Sequence, residues 1–289
     1  MNKQTRVWLV LSIALSLLAL NSACGGAKSP DTNTPAAGET AAAPYSGPTG
    51  TVAGVVSFTG TPPAPKKIDT AADPVCGQAN PNLMTEETVV KDGKLANVFV
   101  YVQESTSAVE GGKKLTDYQW ATPTNAVQLD QNGCHYRPHV LGVQTNQKIT
   151  ITNSDHTQHN IHWTPKNNPE WNQSQPNGAP AIEKSFNRAE VLVPVKCNQH
   201  PWMKAYIGVM RTPFFAVSNE SGAYEIKGLP PGKYTVIAWK EGGAGTEQKT
   251  EVTVPANGSA KADFSFGATT TSTGSSLKMM PAIEIPVRH

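Results

Sequence analysis

The sequence predicts an all-β protein built from β-sandwiches. Short runs rich in β-branched and aromatic residues recur along the chain, and many alternate between apolar and polar residues. Glycine and proline, which number 24 and 23, divide these runs into strand-sized pieces. No window keeps a helical period over a useful length, and short strands separated by turns are typical of sandwiches.

The N-terminal residues predict export. Lys3 and Arg6 precede an apolar run, 7–20, whose length is typical of a signal peptide and short for a membrane span. Residues 1–23 form the predicted signal peptide. Residues 24–50, rich in Ala, Gly, Pro, Ser and Thr, form a predicted disordered linker.

Ser22 and Ala23 before Cys24 resemble the end of a bacterial lipoprotein signal, and Gly25 resembles the outer-membrane sorting pattern. The resemblance implies that Cys24 is lipidated and anchors the protein in the periplasm, or at the outer membrane or cell surface, of a bacterium. Asn21 departs from the usual Leu or Val of such signals, so ordinary secretion is the alternative.

The charge balance argues against nucleic acid as a partner. The chain has 24 basic and 22 acidic residues, and removing Lys3 and Arg6 with the signal leaves 22 of each. A nearly neutral protein without a run of Lys or Arg has no electrostatic footprint for nucleic acid.

The clearest strand signals share β-branched residues, alternation and flanking turns, and they cover residues 51–58, 95–102, 148–152, 191–195, 206–210, 223–226 and 234–239. In one of them, alternation places Val191, Val193 and Val195 on one face with Cys197, which aims the cysteine inward. Pro194 interrupts this strand and predicts an edge or a bulge.

The run Cys-Asn-Gln-His-Pro-Trp-Met at 197–203 supplies a thiolate, an imidazole and a thioether from one short loop. His159, followed by Asn160, can add a second imidazole. Two histidines, one cysteine and a weak axial methionine are the ligand set of a blue-copper electron-transfer site.

This pattern resembles the ligand loop of the cupredoxins of the amicyanin type, over roughly residues 126–212. The resemblance implies a Greek-key sandwich holding one type 1 copper through His159, Cys197, His200 and Met203. It implies that Asn160 ties the two ligand loops together. It also implies that the ring edge of His200 is exposed, with Pro201 and Trp202 as the docking surface for redox partners. Met210 is the alternative axial group.

Two other histidines, His156 and His162, lie close to His159. The β-branched residues around them argue against a helix, so we expect an extended chain. Alternation then puts His156 and His162 on one face and His159 on the other, which leaves one ligand and two surface residues.

The chain has four cysteines. An exported domain favours a disulfide, and the expected pair is Cys76 with Cys134, which leaves Cys197 free for the metal. Pairing of Cys197 with either of the other two is the alternative.

Residues 218–236 form a turn, a strand, a Pro-Pro-Gly turn and a strand. They resemble the transthyretin-like regulatory domain of carboxypeptidases and equally the accessory β domain of rhamnogalacturonan lyases, neither of which implies catalytic residues. We hypothesise that residues 51–104 and 213–266 form one sandwich with the cupredoxin inserted between them, and that 267–289 is a tail. The alternative is one extended domain, 51–212, followed by a separate 213–266.

No Ser-His-Asp arrangement, phosphate-binding loop or zinc hydrolase motif is recognisable, so we do not expect an enzyme. A second metal site at His135 and His139 is a weaker alternative to a simple strand there. The predicted function is a membrane-anchored electron carrier with one copper. The alternatives are a copper-storing lipoprotein and a carbohydrate- or protein-binding lipoprotein.

Overall fold

A computed structural model of the chain describes residues 42–242 and 246–267. These residues belong to one compact unit that begins at Ala42. The predicted signal peptide, Cys24, most of the linker and the tail beyond residue 267 lie outside the described residues. Within the described ranges, no helix has the length and hydropathy to span a bilayer.

Strands make up most of the regular structure, and the all-β prediction is confirmed. In chain order the described strands are β1 (Gly50–Thr59), β2 (Val90–Lys91), β3 (Lys94–Leu95), β4 (Phe99–Val102), β5 (Ala108–Val109), β6 (Val127–Gln131), β7 (Tyr136–Arg137), β8 (Val140–Gln144), β9 (Ile149–Asn153), β10 (His159–Trp163), β11 (Trp171–Gln175), β12 (Ile182–Lys184), β13 (Glu190–Lys196), β14 (Lys204–Met210), β15 (Phe215–Val217), β16 (Ala223–Leu229), β17 (Gly232–Trp239), β18 (Glu247–Val254), β19 (Ser259–Lys261) and β20 (Phe264–Gly267). The helices are α1 (Pro74–Ala79) and single 3₁₀ turns at Glu104–Thr106 and Leu115–Asp117.

Strands β1–β5 and β15–β20 form what we call the flanking sandwich. One sheet has the order β16-β1-β3-β2, with β19 and β20 also paired to β1. The other has the order β15-β4-β17-β18, with β5 paired to β17. All four residues of β4 are buried, as expected for a strand in the middle of a sheet that is covered on both faces.

Pairing in the flanking sandwich joins distant parts of the chain. Strand β1 is antiparallel to β16 and parallel to β20, and β4 pairs with both β15 and β17. The last strand of this sandwich before the central one is β5, and the chain returns at Phe214, whose carbonyl accepts from the amide of Val102 at 3.0 Å. The insertion hypothesis requires such pairing. The domain bounds 51–104, 126–212 and 213–266 stay predictions.

Strands β6–β14 form the central sandwich, whose sheets have the orders β11-β10-β13-β14-β8 and β12-β9-β6-β7. Neighbours are antiparallel except for the pairs β14 with β8 and β6 with β9, which are parallel. Its core contains the inward residues of both sheets, including Ile151, Ile161, Val195 and Ile207, each at most 1% exposed.

Some segments pack differently from the predicted bounds. Residues 60–86, assigned to the flanking region, place Ile68, Cys76 and Leu83 in the core of the central sandwich. Tyr45, in the predicted linker, packs its ring against Tyr118 with centroids 5.2 Å apart. These contacts are made by isolated apolar residues within polar, proline-rich sequence, so the composition of the segments did not predict them.

A bulge interrupts β13. The register with β14 shifts between Glu190 and Val193, and Leu192 has a φ of 63°. Val193 and Val195 remain buried, but Val191 is 41% exposed. The prediction that Val191 shares the inner face was therefore wrong, because the extra residue of the bulge reverses the alternation before it.

The two sandwiches meet along β4 and β14. Phe99, which is fully buried, lies over Gly208 and its cross-strand partner Gly142. A Cβ atom on Gly208 would lie 2.2 Å from Cζ of Phe99. Glycine at this position therefore permits the close approach of the two sheets.

Candidate metal centre

Cys197 follows the last residue of β13, and the alternation of Val193, Val195 and Cys197 directs the sulfur into the core. After it the chain turns back on itself. The amide of Cys197 donates to the carbonyl of Met203 at 3.2 Å, and the amide of Met203 donates to the carbonyl of His200 at 2.9 Å. Cys197, His200 and Met203 are buried at 2%, 3% and 0% exposure, so one tight loop brings three donor side chains inside the protein.

His159 is the first residue of β10 and is fully buried, in alternation with Ile161 and Trp163. His162 points to the other face, where its ring nitrogens contact Asn198 at 2.9 Å and Glu170 at 2.5 Å. His156 is exposed. His159 and His162 therefore lie on opposite faces, as strand alternation predicted, whereas His156 lies in the bend between β9 and β10, where alternation does not apply.

The donor atoms of the site converge. Nδ1 of His159 lies 2.8 Å from Nδ1 of His200, and Sγ of Cys197 lies 3.5 Å from the same His200 nitrogen. The three donors lie within 4.8 Å of one another. Met203 belongs to the same core cluster, whereas Met210 lies among Phe99, Tyr101 and Ile237 between the sandwiches. The group resembles a type 1 copper site.

Each imidazole is held by a carboxylate that the sequence did not reveal. Nε2 of His159 is 2.9 Å from Oδ2 of Asp155, and Nε2 of His200 is 2.9 Å from Oδ2 of Asp73. A carboxylate favours the proton on Nε2, which leaves the Nδ1 lone pair free for a metal. Both histidines therefore present a donor atom toward the thiol, and the residues fit a soft cation.

The pKa shifts of the two ligands act on metal binding in opposite directions. Burial raises the pKa of Cys197, but hydrogen bonds from His159 and His200 outweigh it and lower the pKa to about 6. Burial lowers the pKa of His159, but Asp155 and Cys197 outweigh it and raise the pKa to about 9. The lowered pKa makes the thiolate of Cys197 available to a metal at neutral pH, whereas the raised pKa of His159 means that metal binding must displace a proton from its imidazole.

Both aspartates are fixed by backbone amides. Asp155 accepts from the amides of Gly133 and Cys134 at 2.7 and 2.9 Å. Asp73 caps the N-terminus of α1 by accepting from the amides of Val75 and Cys76. Burial raises the pKa of each carboxyl group, and the hydrogen bonds they accept, including those from the imidazoles, lower it below its usual value.

Asn160 joins the two strands that carry the donors. Its Oδ1 accepts from the amide of Asn198 at 2.6 Å and lies 3.3 Å from Sγ of Cys197. Its Nδ2 donates to Asn172 at 2.7 Å, and its carbonyl accepts from the hydroxyl of Tyr136 at 2.5 Å. This is the tying role that the sequence resemblance implied for Asn160.

Cys76 and Cys134 form a disulfide that closes a sequence separation of 58 residues, and Cys197 is the free cysteine of the described chain. The expected pairing is therefore confirmed. The bond attaches α1, whose N-cap residue Asp73 is the partner of His200, to the loop whose amides bind Asp155.

The expectation of an exposed His200 edge was wrong. His200 is only 3% exposed, because Asp73 and α1 cover its Nε2 atom. Pro201 is exposed, and Trp202 is half-buried. The Trp202 ring lies 5.1 Å from the His200 ring, and its Nε1 donates to the carbonyl of Cys134 at 3.2 Å.

His135 and His139 do not join the site. They line a separate cavity of about 110 Å³ with Trp202 and Lys204. His139 Nε2 is 2.7 Å from Glu241, and His135 Nδ1 is 3.7 Å from Glu86. Neither histidine belongs to the converging groups of three or more donor residues found in the described ranges, so the alternative second metal site gains no support.

Comparison with known proteins gives one family match. Residues 212–262 match the model described as polysaccharide lyase family 4, domain II. This agrees with the lyase accessory-domain resemblance of the flanking sandwich and covers under a fifth of the chain. No curated protein sequence matches.

Among solved structures, a reduced amicyanin variant is 22% identical over 29% of this chain and 82% of its own, with a TM-score of 0.27. A purple cupredoxin from Nitrosopumilus maritimus is 22% identical over 29% of this chain and 98% of its own, with a TM-score of 0.25. A copper-containing nitrite reductase from Thermus scotoductus is 17% identical over 36% of this chain and 25% of its own, with a TM-score of 0.28. Because these TM-scores are low, we draw no functional conclusion from the similar structures and base the proposed function on the geometry of the site.

Proposed function

We propose that the protein is an exported electron carrier that holds one type 1 copper through His159, Cys197, His200 and Met203. The observation that carries this proposal is the convergence of two Nδ1 atoms and a thiol within 4.8 Å in a buried site. Copper bound there would supply a one-electron couple between Cu(I) and Cu(II).

The protein residues supply a fixed environment for that couple. Strands β10 and β13 position His159 and Cys197, and the backbone bonds of the loop position His200 and Met203. Asp155 and Asp73 set the imidazole tautomers, and Asn160 holds the two ligand strands together. Donors that are fixed before the metal arrives need little rearrangement when its charge changes, which suits a carrier.

The test is a visible spectrum of purified protein with added Cu(II). We expect an intense thiolate-to-copper band, reversible bleaching by a small inorganic reductant, and loss of the band in Cys197→Ser, because a hydroxyl cannot replace the soft thiolate. His156→Ala, which removes an exposed histidine, is the matched control and keeps the band. Copper bound without the band in the unaltered protein, or a band that survives in Cys197→Ser, would overturn the assignment.

Copper storage without redox partners is the second candidate, and the burial of His200 under Asp73 favours it. The two functions predict different rates of electron exchange and of copper release. A carrier exchanges electrons rapidly with a small redox protein, whereas a storage protein releases copper to a competing chelator and does not exchange electrons with protein partners on the same timescale.

We further propose that the protein is not an enzyme and that lipidated Cys24 anchors it to a membrane, with redox proteins as its partners. The flanking sandwich would then be a spacer or binding scaffold between anchor and metal domain, and its lyase-domain match keeps a carbohydrate-binding role as the third candidate. Cys24→Ser should move the expressed protein from the membrane fraction to the soluble exported fraction. Unchanged fractionation would refute the lipid anchor and leave the copper assignment standing.

A further inference from the structure

Residues 60–86, which we call the cap segment, leave the flanking sandwich after β1 and pack against the metal end of the central sandwich. The two arms of the segment pair with each other, because the amide of Ile68 donates to Leu83 and the amide of Thr85 donates to Lys66, both at 2.9 Å. Ile68, Cys76 and Leu83 are at most 9% exposed and share a core with Cys197 and Met203. The cap segment is therefore part of the folded metal domain.

The cap segment covers the outer edge of one donor. Oδ2 of Asp73 lies 2.9 Å from Nε2 of His200 and accepts from the hydroxyl of Thr157 at 2.7 Å. Its other oxygen caps α1. An aspartate held by helix amides, a hydroxyl and an imidazole has little freedom to leave His200 unless the segment moves as a whole.

Two attachments on the far side of the cap segment lead to one loop. Cys76 is bonded to Cys134, and Nδ2 of Asn80 donates to the carbonyl of Gly133 at 3.3 Å. The same loop donates to Asp155, the partner of His159, and accepts from Trp202, which packs beside His200. The disulfide thus fastens the cap segment to a loop that contacts the surroundings of both imidazoles.

We propose that the cap segment is a gate on the metal site, fastened by the Cys76–Cys134 disulfide and closed by Asp73 on His200. This inference rests on the proposed copper function. Metal enters and leaves only when the cap segment lifts, and a partner protein cannot reach the Nε2 edge of His200 while it is closed. Asp73 acts through His200 and is a positioning residue.

The test measures copper extraction and histidine accessibility in the full chain. Copper-loaded protein is mixed with a chelator in excess, and loss of the visible band gives the extraction rate. Removing the disulfide with Cys76→Ser and Cys134→Ser together should speed extraction by about thirtyfold or more, the factor expected from losing a stabilising cross-link. Asp73→Ala leaves the disulfide intact and should speed extraction by about three- to thirtyfold, because an N-cap residue is lost.

Labelling with diethyl pyrocarbonate, located by mass spectrometry, gives a second readout. In the unaltered protein we expect His200 to be protected and the exposed His156 to react. In both gate variants His200 of the copper-free protein should react. Asp69→Ala is the matched control, since Asp69 lies in the same segment, is exposed, and bonds only to the amide of Ala71 within its own turn.

The outcomes separate this inference from the proposed function. Absence of the visible band from the unaltered protein refutes type 1 copper, and the labelling pattern still reports on the cap segment. A band with extraction rates in Asp73→Ala within twofold of those in Asp69→Ala, or His200 labelling as fast as His156 in the unaltered protein, overturns the gate. Should the double cysteine variant fail to fold, Asp73→Ala decides the matter.

Discussion

His159 and His200 are each held at both ring nitrogens, with Nδ1 toward the thiol and Nε2 on an aspartate. The donor residues were predictable because the motif at 197–203 is local, and loop spacing alone gathers Cys197, His200 and Met203. The aspartates were not predictable. Asp73 meets His200 across 127 positions, and the Asp-Pro pair that begins α1 signals only a helix start.

Met203 is the residue whose replacement should tune the site without removing it. We expect Met203→Leu to bind copper and to raise the reduction potential, because loss of the weak thioether donor destabilises Cu(II) more than Cu(I). The two side chains have similar volume, so stability should change by less than about 1.5 kcal/mol. Spectroelectrochemical titration of the copper-loaded protein measures the potential.

Met210→Leu is the matched control for that experiment. Met210 lies between the sandwiches with Phe99 and Tyr101, so its replacement should leave the potential unchanged. A shifted potential in Met210→Leu, together with no shift in Met203→Leu, would exchange the roles of the two methionines.

Strands with clear alternation were found close to their true bounds, as the prediction 51–58 against Gly50–Thr59 and the prediction 206–210 against Lys204–Met210 illustrate. The prediction 95–102 ran two strands together, because Asn97 has a φ of 60° and breaks the ladder between β3 and β4. Strand β11 (Trp-Asn-Gln-Ser-Gln) escaped notice since polar residues in a strand carry no alternation. Its identity is set by pairing with β10.

The bulge of β13 begins at Glu190, whose carboxylate is buried. Glu190 is 8% exposed and accepts from the amides of Lys166 and Asn167 at 2.5 and 2.9 Å and from Nδ2 of Asn168 at 3.2 Å. Burial raises the pKa of Glu190, but these hydrogen bonds outweigh it and lower the pKa below its ordinary value. The ionised side chain therefore stabilises the folded state at neutral pH.

Glu190→Gln should lower the free energy of unfolding at pH 7 by about 1–3 kcal/mol, because hydrogen bonds to a charged acceptor are lost. When folding lowers the pKa of a carboxyl group, its full contribution to the free energy of unfolding is present above the pKa of the unfolded state, about 4.3. That contribution is lost as the pH falls through the pKa of the folded state. The difference between the two proteins should therefore shrink below about pH 4. Urea unfolding at several pH values measures it.

Glu183→Gln provides the comparison, since Glu183 forms an exposed ion pair with Lys148 and its side chain is 56% exposed. Its loss should change stability by at most about 1 kcal/mol. If Glu190→Gln lowers the free energy of unfolding at pH 7 by no more than Glu183→Gln does, the carboxylate of Glu190 does not stabilise the bulge.

At the scale of the whole molecule, two sandwiches share one boundary. Phe99 of β4 packs on Gly208 of β14, and His139 and Tyr206 of the central sandwich both bond Glu241 of the flanking region at 2.7 and 2.8 Å. The discontinuous pairing could be proposed from the sequence because residues 51–104 and 213–266 both contain strand patterns of the same kind of β domain. The boundary between the two sandwiches could not be predicted, because a glycine that contacts an aromatic ring far away in the sequence leaves no local sequence pattern.

Gly208→Ala should destabilise the protein by about 1–3 kcal/mol, because the new methyl group would overlap the ring of Phe99 and force the sheets apart. The effect is expected to fall in the background of Phe99→Ala, where the space is free, and the double-mutant cycle isolates the contact. Urea unfolding of the four proteins provides the measurement. Equal costs of Gly208→Ala in both backgrounds would show that the sheets do not meet at this point.

The order of the cysteines along the chain has a consequence for biosynthesis. A chain emerges N-terminus first, so Cys76 and Cys134 become available before Cys197 is made or exported. With Cys24 lipidated, as proposed above, an oxidant that meets the chain in this order finds one correct pair and no competing thiol. Cys197, the proposed metal thiol, then emerges after Cys76 and Cys134 have paired, so the order of the cysteines in the sequence protects it from mispairing.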